Sequence, residues 1–125
     1  MTWVVVGVFG ALGALSRYGV SGAAQRLWPT TFPVGTLIVN LTAAFGAGVL
    51  LGVATGREVP DLVLVGAGIG FLGGYSTFST WMVETVLAAE SGGGIGLRRA
   101  GENLAIPLIA GVALAAIGYA IGQWF

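Results

Sequence analysis

The sequence of 125 residues contains no cysteine, no histidine and no lysine, and only 8% of its residues are charged. Without cysteine and histidine, the chain has no disulfides, no thiolate chemistry, no soft-metal site and no histidine proton switch. Five acidic residues balance five arginines, so no nucleic-acid partner is expected. A soluble domain carries about 25% charged residues. This chain therefore has too little polar surface to cover a globule in water.

Hydrophobic residues make up 56% of the chain, and its mean hydropathy is +0.94. We expect a single transmembrane domain over residues 1–125, in contact with the lipid bilayer. Four apolar segments approach or exceed the roughly 20 residues that a membrane helix needs. They cover about residues 3–22, 33–54, 62–89 and 104–125. The first segment has no basic region before it and is expected to be a retained span. The glycine-rich residues between 90 and 102 are expected to form a flexible loop.

The third segment is longer than a membrane crossing requires and contains a pattern that weakens helices. Gly73 and Gly74 are adjacent, and four serine and threonine residues follow them (Ser76, Thr77, Ser79 and Thr80). A helix break survives in a bilayer only where protein or a polar cavity covers it. Broken helices near the membrane midplane expose helix ends and carbonyls that bind small ions. The sequence therefore predicts an interrupted third helix with a role in ion handling.

Two further patterns place polar and aromatic side chains near this break. Thr36 and Asn40 are four residues apart and share a helix face. The Asn40 amide, near the middle of its span, needs either an interhelical hydrogen bond or an ion. Phe78 and Trp81 also share a face, which packing alone would explain. Aromatic edges together with hydroxyl and amide donors would form a weakly attractive lining for a small anion.

Ionisable residues inside the spans are limited to Arg17 and Glu84, and Arg17 is close enough to a span end to snorkel. The chain has no paired carboxylates and no nucleophile with an adjacent base, so an enzyme is not expected.

Glycines recur at four-residue spacing, which favours close helix packing within the chain. A bundle of four helices has little interior for a polar pathway, and we therefore expect an oligomer. The spaced glycines are Gly48/Gly52, Gly66/Gly70/Gly74 and Gly118/Gly122.

Three motifs, in the same order along the chain, resemble those of the Fluc (CrcB) fluoride channels. The run from Gly73 to Glu84 resembles the third-helix signature GGxTTFSTFSxE. Gly13-Ala14-x-x-Arg17-Tyr18 resembles the first-helix GAxxRY, and the segment with Gly35, Thr36 and Asn40 resembles the second-helix GTxxVNxxGxFxxG. Length and number of spans agree over the whole chain.

The resemblance implies a subunit of a passive fluoride channel that exports fluoride across the plasma membrane and relieves its toxicity. It implies two copies inserted antiparallel, with two fluoride pathways and a central structural sodium ion (Na+). The sodium ligands would be the backbone carbonyls of Gly73 and Ser76. The fluoride pathway would be lined by Asn40, Thr77, Phe78, Ser79, Thr80 and Trp81. The other motif residues are Arg17, Thr36, Gly74 and Glu84.

The sequence departs from the family pattern in several places. Trp81 replaces a phenylalanine. In the fourth helix, Asn103 and Pro107 stand where the family has a tyrosine and a serine. The other departures are Ser76, Ala43 and Met82. The loss of donors in the fourth span leaves a second possibility, a non-conducting or partner subunit that pairs with an opposite-facing paralogue. A small multidrug exporter is a third possibility, but it would need a carboxylate in the first span, which has none.

Overall fold

The computed structural model describes all 125 residues as helices joined by short connections. The helices are α1 (Thr2–Leu27), α2 (Val34–Gly56), α3 (residues 61–75), α4 (Phe78–Glu90) and α5 (Gly93–Gly122). Helices α3 and α4 together form the third crossing, Asp61–Glu90. All four crossings are long and apolar enough to span a membrane. The prediction of an all-α membrane protein with four spans and a broken third helix is therefore confirmed.

The interruption of the third crossing lies at Ser76 and Thr77. Both residues are extended, with ψ of 160° at Ser76 and φ/ψ of −148°/115° at Thr77. Gly73 keeps a helical conformation, as does Gly74. The adjacent glycines therefore do not form the break themselves. Gly74 serves close packing instead, because a Cβ there would collide with the carbonyl oxygen of Gly10 in α1.

Helix α3 has unusually wide turns before the break. Its central part, Leu64–Leu72, is π-helical, and the N–H of Gly73 donates to the carbonyl of Gly68. Gly66 and Gly70 lie against α1, where a Cβ on Gly70 would stand 2.8 Å from the Cβ of Phe9. Wide helical turns are often found at functional sites. Here a short α-helical segment, Gly73–Tyr75, separates the wide turns from the extended residues.

The spaced glycines of α2 and α5 bring these two helices into the most extensive contact of the fold. A Cβ on Gly48 would collide with the carbonyl of Ala115, and one on Gly118 with the carbonyl of Phe45. Small residues allow membrane helices to approach closely. The expectation that these glycines pack within the chain is therefore confirmed.

Helix α5 begins much earlier than the fourth apolar segment predicted, at Gly93 rather than near residue 104. The flexible loop expected between 90 and 102 is wrong, since only Ser91 and Gly92 separate α4 from α5. Gly92 and Gly93 make the turn with positive φ values of 104° and 63°. Gly96 is a packing position, because a Cβ there would lie 2.8 Å from the carbonyl oxygen of Ala88.

The remaining span ends also differ from the apolar boundaries by a few residues. Helix α1 continues to Leu27, past the predicted end at residue 22, and α5 ends at Gly122 rather than at residue 125. Polar residues at the ends of apolar segments can stay helical outside the hydrocarbon, so hydropathy does not fix a helix end. The small buried core lies around Val39, Ala43 and Tyr75, beside the break.

Candidate functional site

Asn40 holds the extended residue Thr77 through both ends of its side-chain amide. Its Nδ2 donates to the carbonyl of Thr77 at 2.9 Å, and its Oδ1 accepts the N–H of Thr77, also at 2.9 Å. The amide thus satisfies both backbone groups of a residue that has left the helix. Of the two partners expected for Asn40, the structure shows the interhelical hydrogen bond.

The backbone carbonyls of Gly73 and Ser76 have different partners. Because the N–H of Thr77 bonds to Asn40, it does not close the helical bond to the Gly73 carbonyl. Gly73 is also exposed on the surface of the chain. The Ser76 carbonyl accepts a hydrogen bond from Nη1 of Arg17 at 3.2 Å. Carbonyl oxygens suit a hard cation, so the Gly73 carbonyl fits the expected sodium ligand, whereas the Ser76 carbonyl already contacts a guanidinium.

Arg17 does not snorkel to a membrane surface but reaches the break. It lines a pocket of about 370 Å³ together with Ser21, Thr36, Thr77 and Thr80. This pocket combines one positive charge with several hydroxyl groups. The Arg17 charge thus lies beside the break, where its guanidinium contacts the Ser76 carbonyl.

Helix α4 begins inside the membrane, directly after the break. Its N-cap is Thr77, whose Oγ1 accepts the N–H of Thr80 at 3.3 Å and donates to Oγ1 of Thr80 at 2.9 Å. Oγ of Ser79 lies 3.5 Å from the same oxygen. The first N–H groups of a helix lack intrahelical partners and carry partial positive charge. The break therefore presents an electropositive helix end with clustered hydroxyls.

The aromatic pair expected on α4 is present. The ring centroids of Phe78 and Trp81 lie 5.8 Å apart, with an angle of 89° between the planes. Phe78 is 68% exposed, whereas Trp81 is half-buried. Both rings line an open groove of about 550 Å³ that also contains Asn40 and, on the α5 side, Pro107. The α5 side of this groove is apolar, as the sequence indicated.

Thr36, one helical turn before Asn40, provides a second link between α2 and the third crossing. Its Oγ1 donates to Oε1 of Glu84 at 2.7 Å, while Oε2 of Glu84 is buried without a partner. Both residues line a polar pocket of about 670 Å³ at the end of the molecule that carries the first and third connections. The shared face expected for Thr36 and Asn40 is therefore confirmed by their contacts.

Sequence reasoning missed a polar network between α4 and α5. Nε1 of Trp81 donates to the backbone carbonyl of Asn103, and Nδ2 of Asn103 donates to Oγ1 of Thr85 at 2.8 Å. Asn103 and Thr85 are only 3% and 7% exposed. One signal could have pointed to this network: Pro107 follows Asn103 by four residues and leaves its carbonyl without the usual donor.

Comparison with known proteins identifies one family over most of the chain. The model of the family described as "CrcB-like protein, Camphor Resistance (CrcB)" matches residues 4–119. A relative from Mycolicibacterium paratuberculosis, named "Fluoride-specific ion channel FluC 2", is 41% identical over 97% of this chain and 93% of its own length.

Two further relatives have similar names. One from Bacillus anthracis, "Fluoride-specific ion channel FluC 1", is 34% identical over 99% of this chain and 89% of its own length. Another from Nitratidesulfovibrio vulgaris, "Fluoride-specific ion channel FluC", is 41% identical over 86% of this chain and 81% of its own length. These names describe channels rather than enzymes.

Proposed function

The chain belongs to the CrcB family, and we propose that it is a subunit of a fluoride-selective ion channel in the cell membrane. The observation that carries the proposal is the broken third crossing, where the N-terminus of α4 meets the Asn40 amide and the Phe78–Trp81 pair. Amide, hydroxyl and helix-end donors offset the dehydration of a small anion without the full charge that would trap it. Fluoride is small, and it accepts strong hydrogen bonds from such donors.

We propose that two copies of the chain assemble antiparallel around the break. Gly73, Phe78, Ser79 and Thr80 are exposed on one subunit, although they lie in the middle of a membrane crossing. Lipid offers no partner for open helix ends and hydroxyls, so protein must cover this surface. A second copy of the same chain provides a matching surface. A paralogue of opposite orientation is the alternative that the experiments below distinguish.

A sodium ion at the centre of this dimer is part of the proposal. Gly73 is exposed and its carbonyl lacks the helical donor, and both facts support the ion site. Two copies would contribute the Gly73 and Ser76 carbonyls, each Ser76 oxygen keeping its second lone pair beside the contact with Arg17. The bound cation would join the two breaks. Higher thermal stability of the dimer in sodium than in N-methylglucamine would support it, and equal stability would contradict it.

Fluoride movement through the proposed channel is passive. A negative-inside potential favours exit of an anion by about 2.3 kcal/mol per charge per 100 mV. No coupled ion or nucleotide is required for export. The chain would thus lower cytoplasmic fluoride and relieve its toxicity.

A vesicle efflux assay tests the proposal. The purified chain is reconstituted into liposomes loaded with potassium fluoride, and valinomycin releases the counter-ion. We expect fast fluoride efflux and no efflux from matched vesicles loaded with potassium chloride. Efflux of both anions would contradict selectivity. Absence of fluoride efflux, restored only by co-reconstitution with a paralogue, would assign the chain to a heteromeric channel.

A further inference from the structure

Pro107 creates an unusual acceptor in the middle of α5. Proline has no backbone N–H, so the carbonyl of the residue four positions earlier loses its helical hydrogen bond. That residue is Asn103, and both Asn103 and Pro107 are buried. A backbone carbonyl without a donor is costly inside a membrane. The acceptor therefore needs a donor from outside α5.

Trp81 supplies this donor from α4. Its indole Nε1 donates to the Asn103 carbonyl, while the Asn103 side chain donates to Oγ1 of Thr85 at 2.8 Å. Oγ1 of Thr85 donates in turn to the carbonyl of Trp81 at 2.8 Å. The three residues thus form a closed ring of hydrogen bonds between the two helices. A phenylalanine at position 81 could not take part through its side chain.

This ring of hydrogen bonds fixes the orientation of the indole. The bond to α5 holds one edge of Trp81, and the perpendicular contact with the Phe78 ring, at 5.8 Å between centroids, constrains the indole further. The indole N–H is used by the Asn103 carbonyl and is not a free donor to the groove that Trp81 lines with Asn40. Trp81 therefore contributes its ring, rather than its N–H, to the groove wall.

We propose that Pro107 is a positioning residue for the ion pathway, acting through the Asn103 carbonyl that it frees to hold Trp81. Trp81 and Pro107 form a coupled pair, in which the indole is required because the proline is present. The inference rests on the proposed function, since it assigns a role to the wall of the same pathway. It differs from the view of Trp81 as a simple replacement for phenylalanine, under which Trp81→Phe would be tolerated.

The test is a double-mutant cycle on fluoride efflux. Trp81→Phe in the parent chain leaves the Asn103 carbonyl without a donor, and we expect efflux to fall about tenfold. In the Pro107→Ala background the helix itself supplies the N–H. There, Trp81→Phe is expected to change efflux by less than about twofold. Trp28→Phe is the matched control, since Trp28 is 54% exposed at the end of α1 and should leave efflux unchanged.

A spectroscopic measurement tests the same bond independently of transport. In protein with 15N-labelled tryptophan, Trp81→Phe assigns the Trp81 indole resonance. Pro107→Ala gives the Asn103 carbonyl a second donor, so we expect the Trp81 indole proton to move upfield while that of Trp28 stays in place. This readout does not require the chain to conduct.

The outcomes separate the inference from the proposed function. A parent chain that passes no fluoride, alone or with a paralogue, contradicts the function, while the resonance shift still decides the inference. A conducting parent with efflux unchanged by Trp81→Phe would overturn the inference. So would an equal loss of efflux with and without Pro107→Ala, or an indole proton that Pro107→Ala does not move.

Discussion

Asn40 shows what a single residue contributes at the break. Its amide pairs with both backbone groups of Thr77, as a neighbouring peptide would. Sequence spacing correctly indicated that Thr36 and Asn40 face the third crossing, because i, i+4 residues share a face. The identity of their partners was not predictable, since it depends on where the chain leaves the helix. That point lies at Ser76 and Thr77 rather than at the glycines.

Replacement of Asn40 is expected to reduce fluoride efflux strongly. Asn40→Asp keeps an acceptor for the Thr77 N–H but sets a carboxylate against the Thr77 carbonyl, and Asn40→Ala removes both bonds. Each unsatisfied buried group costs about 1–3 kcal/mol, and a charge at mid-membrane costs more. We expect at least about a tenfold loss of efflux in liposomes for both variants, with the dimer still observed by size-exclusion chromatography.

A matched control for Asn40 lies on the same helix. Thr55 bonds only within α2, to the Gly52 carbonyl at 2.7 Å. Thr55→Val should therefore conduct like the parent. Parent-like efflux in either Asn40 variant would show that the amide serves helix packing and not the pathway.

Among the elements, the crossings were predictable and their ends were not. Hydropathy identified four spans because lipid requires long apolar segments. It failed at the start of α5, where the four glycines among residues 92–96 suggested a loop. Gly96 instead allows α5 to pack against the end of α4, and Arg98 pairs with Glu102 at 2.8 Å on the exposed face. Glycine composition alone does not distinguish a flexible turn from a close helix contact.

The close contact of α2 with α5 gives a prediction at this scale. Gly118→Ala places a methyl group against the carbonyl of Phe45 and should force the helices apart. Overpacking of this kind costs about 1–3 kcal/mol. We expect a lower free energy of unfolding in SDS titrations of the protein in mixed micelles.

Gly101 provides the control on the same helix. A Cβ at Gly101 meets nothing within 4 Å, and alanine restricts the unfolded chain. Gly101→Ala should therefore leave stability equal or raise it by about 0.5–1 kcal/mol. Equal free energies of unfolding for the two variants would show that the close α2–α5 contact does not determine the stability of the protein.

At the scale of the whole molecule, the proposed dimer would cover surface that a single chain leaves open. The break, the Phe78 ring and the groove open onto the outside of a single chain. The sequence predicted an oligomer from the thinness of a four-helix bundle, and this stays a prediction. The orientation of the subunit is a separate question, governed by arginines near the ends of the crossings. Arg26, Arg98 and Arg99 lie at one end of the bundle and Arg57 at the other. Arg17 is bonded at the break and belongs to neither end.

Orientation therefore distinguishes the homodimer from the heteromer. Three arginines against one favour placing the first and third connections in the cytoplasm and both termini outside. An antiparallel homodimer requires this bias to be small enough for both orientations to insert.

The chain has no cysteine, so single cysteines at Thr2 and Gln123 can be labelled from either side of the membrane. We expect label from both sides and fluoride efflux from the chain expressed alone. Glu58→Arg, which adds a positive charge beside Arg57, is the control and should shift labelling toward the reverse orientation. Labelling from one side only, with little efflux until an opposite-facing paralogue is co-expressed, would reject the homodimer. It would then make this chain one half of a heteromeric channel.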